Sequence, residues 1–283
     1  MKKQLQLGLV VAGNSTGSAI LRLPKLAEEL GPIKSPALRT ARRVSNFLKA
    51  GYAVPEYEDL ANARLILMHL PDSVVTRVVD ELCASELVFK KLSFVLCESW
   101  LTSDVLKPLS ARGASTATLV KVPSARRNWF VIEGQLSAVR QMRRVLERNE
   151  ALTLELRPGT KHLYFAAELL ARALPMPLYM TAQEALRDSG LSGNRLHALI
   201  DEMAHDMFRR FLKGAAAAWR GAANECPPET AENYLRALRE DHPQIAEVVD
   251  MQLLWARRKM SRPRERARAM PGEIGVFREA ASP

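Results

Sequence analysis

The sequence is poor in the residues that would tie it to disulfides, metals or membranes. It has only three cysteines, Cys83, Cys97 and Cys226, widely separated and with no C-x-x-C pair. That count and spacing encode neither a disulfide framework nor a zinc site, and buried thiols are expected. Among the five histidines, His162, His197, His205 and His242 form no His-x-x-x-His pair, so no metal site is expected. No apolar run reaches the roughly 18 residues that a membrane helix needs. Met1-Lys2-Lys3-Gln4 leads straight into a strand pattern without a small-residue cleavage site, so the expectation is a cytoplasmic protein with no signal peptide. Aromatic residues make up only 6% of the chain, and no aromatic RNA-binding motif, helix-turn-helix or zinc finger accompanies the net charge of +10. Part of that excess is local: Arg257, Arg258, Lys259, Arg262, Arg264, Arg266 and Arg268 stand against the single acid Glu265. A solvated basic tail from residue 261 explains it more simply than a nucleic-acid surface.

What is present is ordinary for a soluble globular protein, 47% hydrophobic and 25% charged over 283 residues. The organising stretch is the apolar run Leu5 to Ala12, followed by Gly13-Asn14-Ser15-Thr16-Gly17 and then Ser18-Ala19-Ile20. This pattern reads as a buried strand, a tight turn and a first helix, the start of a Rossmann unit whose turn aims backbone N–H groups at phosphate. The fingerprint G-x-G-x-x-G is incomplete: Val11 stands at the first glycine, Gly13 at the second, and Gly17 falls one residue late. The turn either still cradles a nucleotide or survives only for packing.

Strand signals recur at Gly31–Ser35, Arg64–Leu70, Ser93–Cys97, Ala117–Val122, Phe130–Gly134 and Ala151–Leu156. Helical patterns lie between most of them: 17–30 with Pro24 inside, Pro36–Ala50, Ser73–Cys83, Thr102–Arg112 and Leu136–Arg148. Such alternation implies a parallel sheet with helices on both faces. Arg157-Pro158-Gly159 marks a boundary, beyond which every apolar pattern has the helical period. The expected organisation is a sheet domain over 1–156, an all-α domain over 157–260 and a basic tail over 261–283. In the third helix after the boundary, Leu196, Leu199, Ile200, Met203, Met207, Phe208 and Phe211 form an apolar stripe expected to be buried, and its Met, Leu and Phe residues point to a dimer.

Several phrases carry a resemblance: Leu70-Pro71-Asp72, Asp104 to Leu109 with Ala111-Arg112-Gly113-Ala114, Ile132-Glu133-Gly134, and Lys161-His162-Leu163-Tyr164 followed by Ala166-Ala167. In this order they resemble Rossmann-like NAD(P)-binding proteins with a C-terminal helical domain of unknown function, related to pyrroline-carboxylate reductase and the deazaflavin-dependent NADP reductases. The resemblance implies an α/β Rossmann-like domain, a helical domain like the C-terminal part of 6-phosphogluconate dehydrogenase, and a homodimer formed through the helices. It also implies an oxidoreductase passing hydride between nicotinamide and a small carbonyl or imine compound in an interdomain cleft. The chain departs from the pattern at Val11, at Cys97-Glu98-Ser99-Trp100, at Val120-Lys121 and at Phe165, where family members carry the first glycine, Cys-Ser-Gly, His-Pro and His. Two imidazoles suited to proton transfer near neutrality are thus absent. The alternative is a binding or scaffold protein that has lost the chemistry.

The candidate cofactor residues are Gly13, Asn14, Ser15, Thr16, Gly17, Ser35, Arg39, His69, Pro71 and Glu98. The end of the second strand carries no acid for a ribose 2′-OH but has Lys34, Ser35 and Arg39, which suits the 2′-phosphate of NADP. Arg39, Arg42 and Arg43 also read as a solvated basic face. His69 ends the third strand signal, where a structural role competes with catalysis, and Trp100 either covers a ligand or caps the sheet. Lys161 and Tyr164, at i and i+3 on a helix, are the catalytic candidates, as proton donors to a carbonyl. Against that, Lys161 supports a helix start and Tyr164 packs.

Overall fold

The computed structural model describes residues 7–13, 18–123, 128–223 and 226–260. Within it, eight strands form one sheet: β1 Leu7–Val11, β2 Leu30–Lys34, β3 Tyr52–Val54, β4 Leu65–His69, β5 Ser93–Cys97, β6 Ser115–Val122, β7 Trp129–Gly134 and β8 Leu152–Glu155. Their order is β3-β2-β1-β4-β5-β6-β7-β8. The chain starts in the middle, winds outward through β2 and β3, and then returns to the other side of β1. This reversal falls at the carboxyl ends of β1 and β4, the place where open α/β sheets bind ligands.

The helices of this part are α1 Leu26–Glu29, α2 Leu38–Leu48, α3 Asp72–Ala84, α4 Lys107–Ala111 and α5 Leu136–Arg148. Strand alternation sends side chains to two buried layers. Leu7, Leu9 and Val11 of β1, with Leu65 and Leu67 of β4, pack with Ala41 and Val44 of α2 and Met142 and Leu146 of α5. Val10, Ile66 and Met68 point the other way, toward Val75, Val78 and Leu82 of α3 and Leu109 of α4. The bulk of Val11 is thus taken up by the core.

Two expectations are corrected and one strand is added. The sheet is mostly parallel, but β7 runs antiparallel to β6, pairing Val120 with Val131 and Lys121 with Phe130. The connection from Val122 to Trp129 is too short for the dozen-residue crossover that a parallel partner needs. The two strands also approach so closely that a Cβ on Gly134 (φ +144°) would lie 2.4 Å from the Ala117 Cα. The helix expected over 17–30 is reduced to α1, because Pro24 lacks an N–H and the chain instead makes successive turns, Arg22 N to Ala19 O and Leu23 N to Ile20 O. The short edge strand β3 carried no alternating signal of its own and forms by pairing with β2.

The chain divides into two units, Met1–Ala166 and Ala167–Pro283. The division falls within α6, Lys161–Glu168, downstream of Arg157-Pro158-Gly159. Further along, a wide π turn over Leu169–Ala173 leads into α7 Pro175–Asp188, α8 Gly193–Ala223, α9 Pro228–Asp241 and α10 Pro243–Met260. Pro175, Pro228 and Pro243 each stand in a first turn, where a missing N–H costs nothing. The backbone of α8 leaves the helical conformation at Gly214.

The stripe expected to be buried on α8 is largely exposed in the single chain. Leu196 is buried, but Met203, Met207, Phe208 and Phe211 are all more than half exposed, at 55, 53, 56 and 52%. A continuous apolar face of this kind is a surface that the unit cannot cover by itself. None of the helices among the described residues is long and apolar enough to cross a membrane.

Candidate functional site

The carboxyl edge of the sheet is built from the segments that leave β1, β2, β4 and β5. After β1 the chain turns at Gly13, whose left-handed φ of +72° puts an added Cβ 3.1 Å from Pro71 Cγ. A side chain here would be strained by that φ and would press on Pro71, so glycine suits the turn. Ala12 N donates to His69 O at 3.2 Å, tying the turn to the end of β4. Asn14, Ser15, Thr16 and Gly17 lie outside the described residues. Ser18, buried, resumes the chain, and its Oγ accepts from Leu21 N at 3.3 Å.

Glu98, immediately after β5, reaches across β4 to this turn. Its Oε1 accepts from Ala19 N at 2.5 Å and Ile20 N at 3.1 Å. Its Oε2 lies 3.4 Å from His69 Nδ1. That contact is within ion-pair range, but its alignment is too poor for a hydrogen bond, and Nδ1 is left buried without one. Burial lowers the His69 pKa against the opposing pull of Glu98, so the imidazole is neutral at pH 7.

At the end of β2, Lys34 and Ser35 are buried. The Lys34 ammonium donates to Pro55 O and sits over the Tyr57 ring, 4.8 Å from its centroid. It is committed locally and turned away from any ligand role. Arg39, by contrast, is exposed in the first turn of α2, with Arg42 and Arg43 exposed one turn on. The helix start has no acid and no side-chain cap.

Lys161 and Tyr164 both engage the loop after β5, within the first unit. Lys161 is only 2% exposed. Its Nζ donates to Ser99 O at 2.6 Å, Leu101 O at 2.7 Å and Thr118 Oγ1 at 3.1 Å. Tyr164 stacks on Trp100 with centroids 6.1 Å apart, and Phe165 meets Trp100 edge-on at 5.3 Å. Burial pushes the Lys161 pKa down to about 8, opposed by the carboxylates of Glu133 and Asp72. A value near neutrality suits proton transfer. Geometry counts the other way, because an ammonium has three protons and all three are engaged.

Sequence reading missed the partners that hold this loop. Ser99 Oγ donates to Asp72 Oδ1 at 2.6 Å. Glu133, 1% exposed, accepts from Ser103 N at 2.8 Å through Oε1, while its Oε2 is buried without a partner. The available signal was a charge closing the apolar run Phe130-Val131-Ile132, where a carboxylate persists only if something compensates it.

No family model matches the chain, and no curated protein matches it in sequence. Solved structures do match. Protein TM1727 from Thermotoga maritima superposes with a TM-score of 0.60 at 18% identity, covering 93% of this chain and all of that one. A reductive aminase from Aspergillus terreus, solved with NADPH and ethyl-5-oxohexanoate, gives 0.59 at 15% identity over 90% of this chain and 94% of that one. An imine reductase from Bacillus cereus gives 0.62 at 14% identity over 90 and 94%. The chain has a Rossmann-like fold followed by helices. At these identities the likeness fixes the architecture, a Rossmann-like sheet domain followed by a helical part, and leaves the chemistry to the residues.

Proposed function

We propose that the protein is an NADP-linked oxidoreductase that reduces a small carbonyl or imine compound. The supporting observation is the set of groups gathered at the carboxyl ends of β1, β2, β4 and β5, where the strand order reverses: the left-handed Gly13 turn, Pro71, His69 and, on α2, the uncompensated guanidinium of Arg39. These residues fit a dinucleotide phosphate. Gly13 lets backbone approach closely, and Arg39 beside an uncapped helix start, with no acid at the end of β2, favours a 2′-phosphate over a free 2′-OH. When bound, such a cofactor supplies the hydride.

The chain's own part is to position the substrate and give it a proton. Lys161 is the positioning residue: by holding both Ser99 O and Leu101 O it fixes the loop that presents Trp100. Tyr164, half-buried and stacked on Trp100, is the proton donor of the pair. The protein acts as a cytoplasmic homodimer, with a second copy covering the apolar face of the helical unit. Free Cys83, Cys97 and Cys226 accord with a reducing compartment. The rival reading, a binding protein without turnover, draws on the Glu98 carboxylate already seated on the amides of Ala19 and Ile20, just past the turn.

A thermal shift series with NADPH and NADH tests the assignment. NADPH at about a hundred times its Kd adds about 2.7 kcal/mol to the folded state, several degrees in Tm, and NADH adds less. Arg39→Ala removes that preference. No shift with either nucleotide at millimolar concentration overturns the cofactor. Turnover falling about 100-fold in Tyr164→Phe, with KM nearly unchanged, supports the proton-donor role, and unchanged turnover retires it.

A further inference from the structure

Glu98 holds an unusual position, and the inference drawn from it rests on the reading of the β1 turn as a dinucleotide site. Its backbone is left-handed, with φ of +58°, a region that a residue bearing a side chain enters only under constraint. The constraint is visible: Glu98 N donates to Leu119 O at 2.6 Å, holding the chain in that conformation as it leaves β5. From there the side chain spans the end of β4 and places one oxygen on two successive N–H groups, those of Ala19 and Ile20. Successive amides converging on one oxygen form an anion-binding concavity, the device by which a turn after a first strand holds phosphate. In this chain the anion is its own carboxylate.

We propose that Glu98 is a built-in competitor for those amides, which a dinucleotide pyrophosphate must displace in order to bind. Two anions cannot share the same pair of N–H groups, and a carboxylate a few ångströms from a pyrophosphate repels it. Glu98 therefore lowers affinity for the cofactor and ties Ala19 and Ile20 to the end of β5 while the cofactor is away. A purely structural strap makes the opposite prediction: loosening it damages the turn and weakens binding. The two roles separate because a competitor, once neutralised, lets ligand-free stability fall while affinity rises.

The experiment is a calorimetric titration of the full chain and of Glu98→Gln and Glu98→Gly with NADPH and, separately, with inorganic pyrophosphate, alongside ligand-free melting. Glu98→Gln keeps the shape and an acceptor but removes the charge, and Glu98→Gly removes the side chain and relieves the left-handed backbone. The expected result is NADPH binding about tenfold tighter in Glu98→Gln than in wild type, with pyrophosphate newly competing against NADPH, while ligand-free Tm falls. Equal or weaker NADPH affinity in both variants, with both folded by circular dichroism, overturns the proposal and leaves the NADP reading standing. Pyrophosphate binding only in the variants, with no NADPH binding in any form, supports the competitor and retires the NADP reading. No binding of either ligand by any of the three overturns both.

Discussion

Met68 and Met207 are the same side chain in two very different settings. Met68, on β4, has no exposed surface and packs between the sheet and α3, whereas Met207, on α8, is 53% exposed. The contrast extends to the units that carry them. The sheet unit buries both faces of its central strands. Beyond Ala167, the buried apolar side chains among the described residues are only Leu196, Ala231 and Ala246. Met203, Phe208 and Phe211 of α8, with Met251, Leu254 and Trp255 of α10, stand exposed. A helix draws most of its stability from packing an apolar face, so the sheet unit buries its apolar strands within the chain while the helical unit leaves much of its apolar surface exposed, which is what the proposed second copy would cover.

The sharpest test of that contrast is to make one deletion twice. Met68→Ala should cost about 2–5 kcal/mol in urea unfolding, independently of protein concentration. Met207→Ala should cost less than about 0.5 kcal/mol in dilute, unassociated chain and progressively more as concentration rises. Equal, concentration-independent losses would show that α8 is packed within its own chain. Light scattering supplies the companion reading: Phe211→Asp should lower the measured mass from two chains to one, and a wild-type mass of one chain would remove the second copy as the cover.

A somewhat smaller effect, about 3 kcal/mol, is expected from Lys161→Met, which strands the carbonyls of Ser99 and Leu101 and leaves buried Glu133 without its nearby cation. The loss belongs to the sheet unit and should be insensitive to concentration. The smallest effect is its pH dependence. The folded-state pKa of Lys161 is lowered to about 8 from its ordinary 10.5, so between those values the unfolded chain holds a proton that the folded chain has released. Stability from this group therefore rises with pH through that window. The gap between wild type and Lys161→Met in urea midpoint should widen from about pH 7.5 to about pH 9.5, and a narrowing gap would mean that Glu133 and Asp72 outweigh the burial.

Much of the fold could be read along the chain. The central strands announced themselves as apolar runs, because a strand buried on both faces has no polar alternation, and α3 carries an apolar face at Val74, Val75, Val78, Val79 and Leu82 in its sequence, of which all but the partly buried Val74 are buried. The candidate site was legible only as a set of places: Gly13, Ser35, His69, Pro71 and Glu98 all stand at or just past the carboxyl ends of strands. Their roles were less so. That Lys161 spends all its protons on Ser99, Leu101 and Thr118 depends on residues brought together over 43 to 62 positions of chain, and no local pattern records it.

Period and punctuation thus set the order of elements, the change from sheet to helices after Arg157-Pro158-Gly159, and the glycine turn, since each follows from the conformational limits of residues next to one another. Tertiary structure alone decided that β7 runs against β6, that the stripe on α8 faces outward in the single chain, and that Glu98 lies on the amides of Ala19 and Ile20. Those outcomes hang on which distant segments compete for the same surface or the same hydrogen bond, a choice settled only when the whole chain has packed.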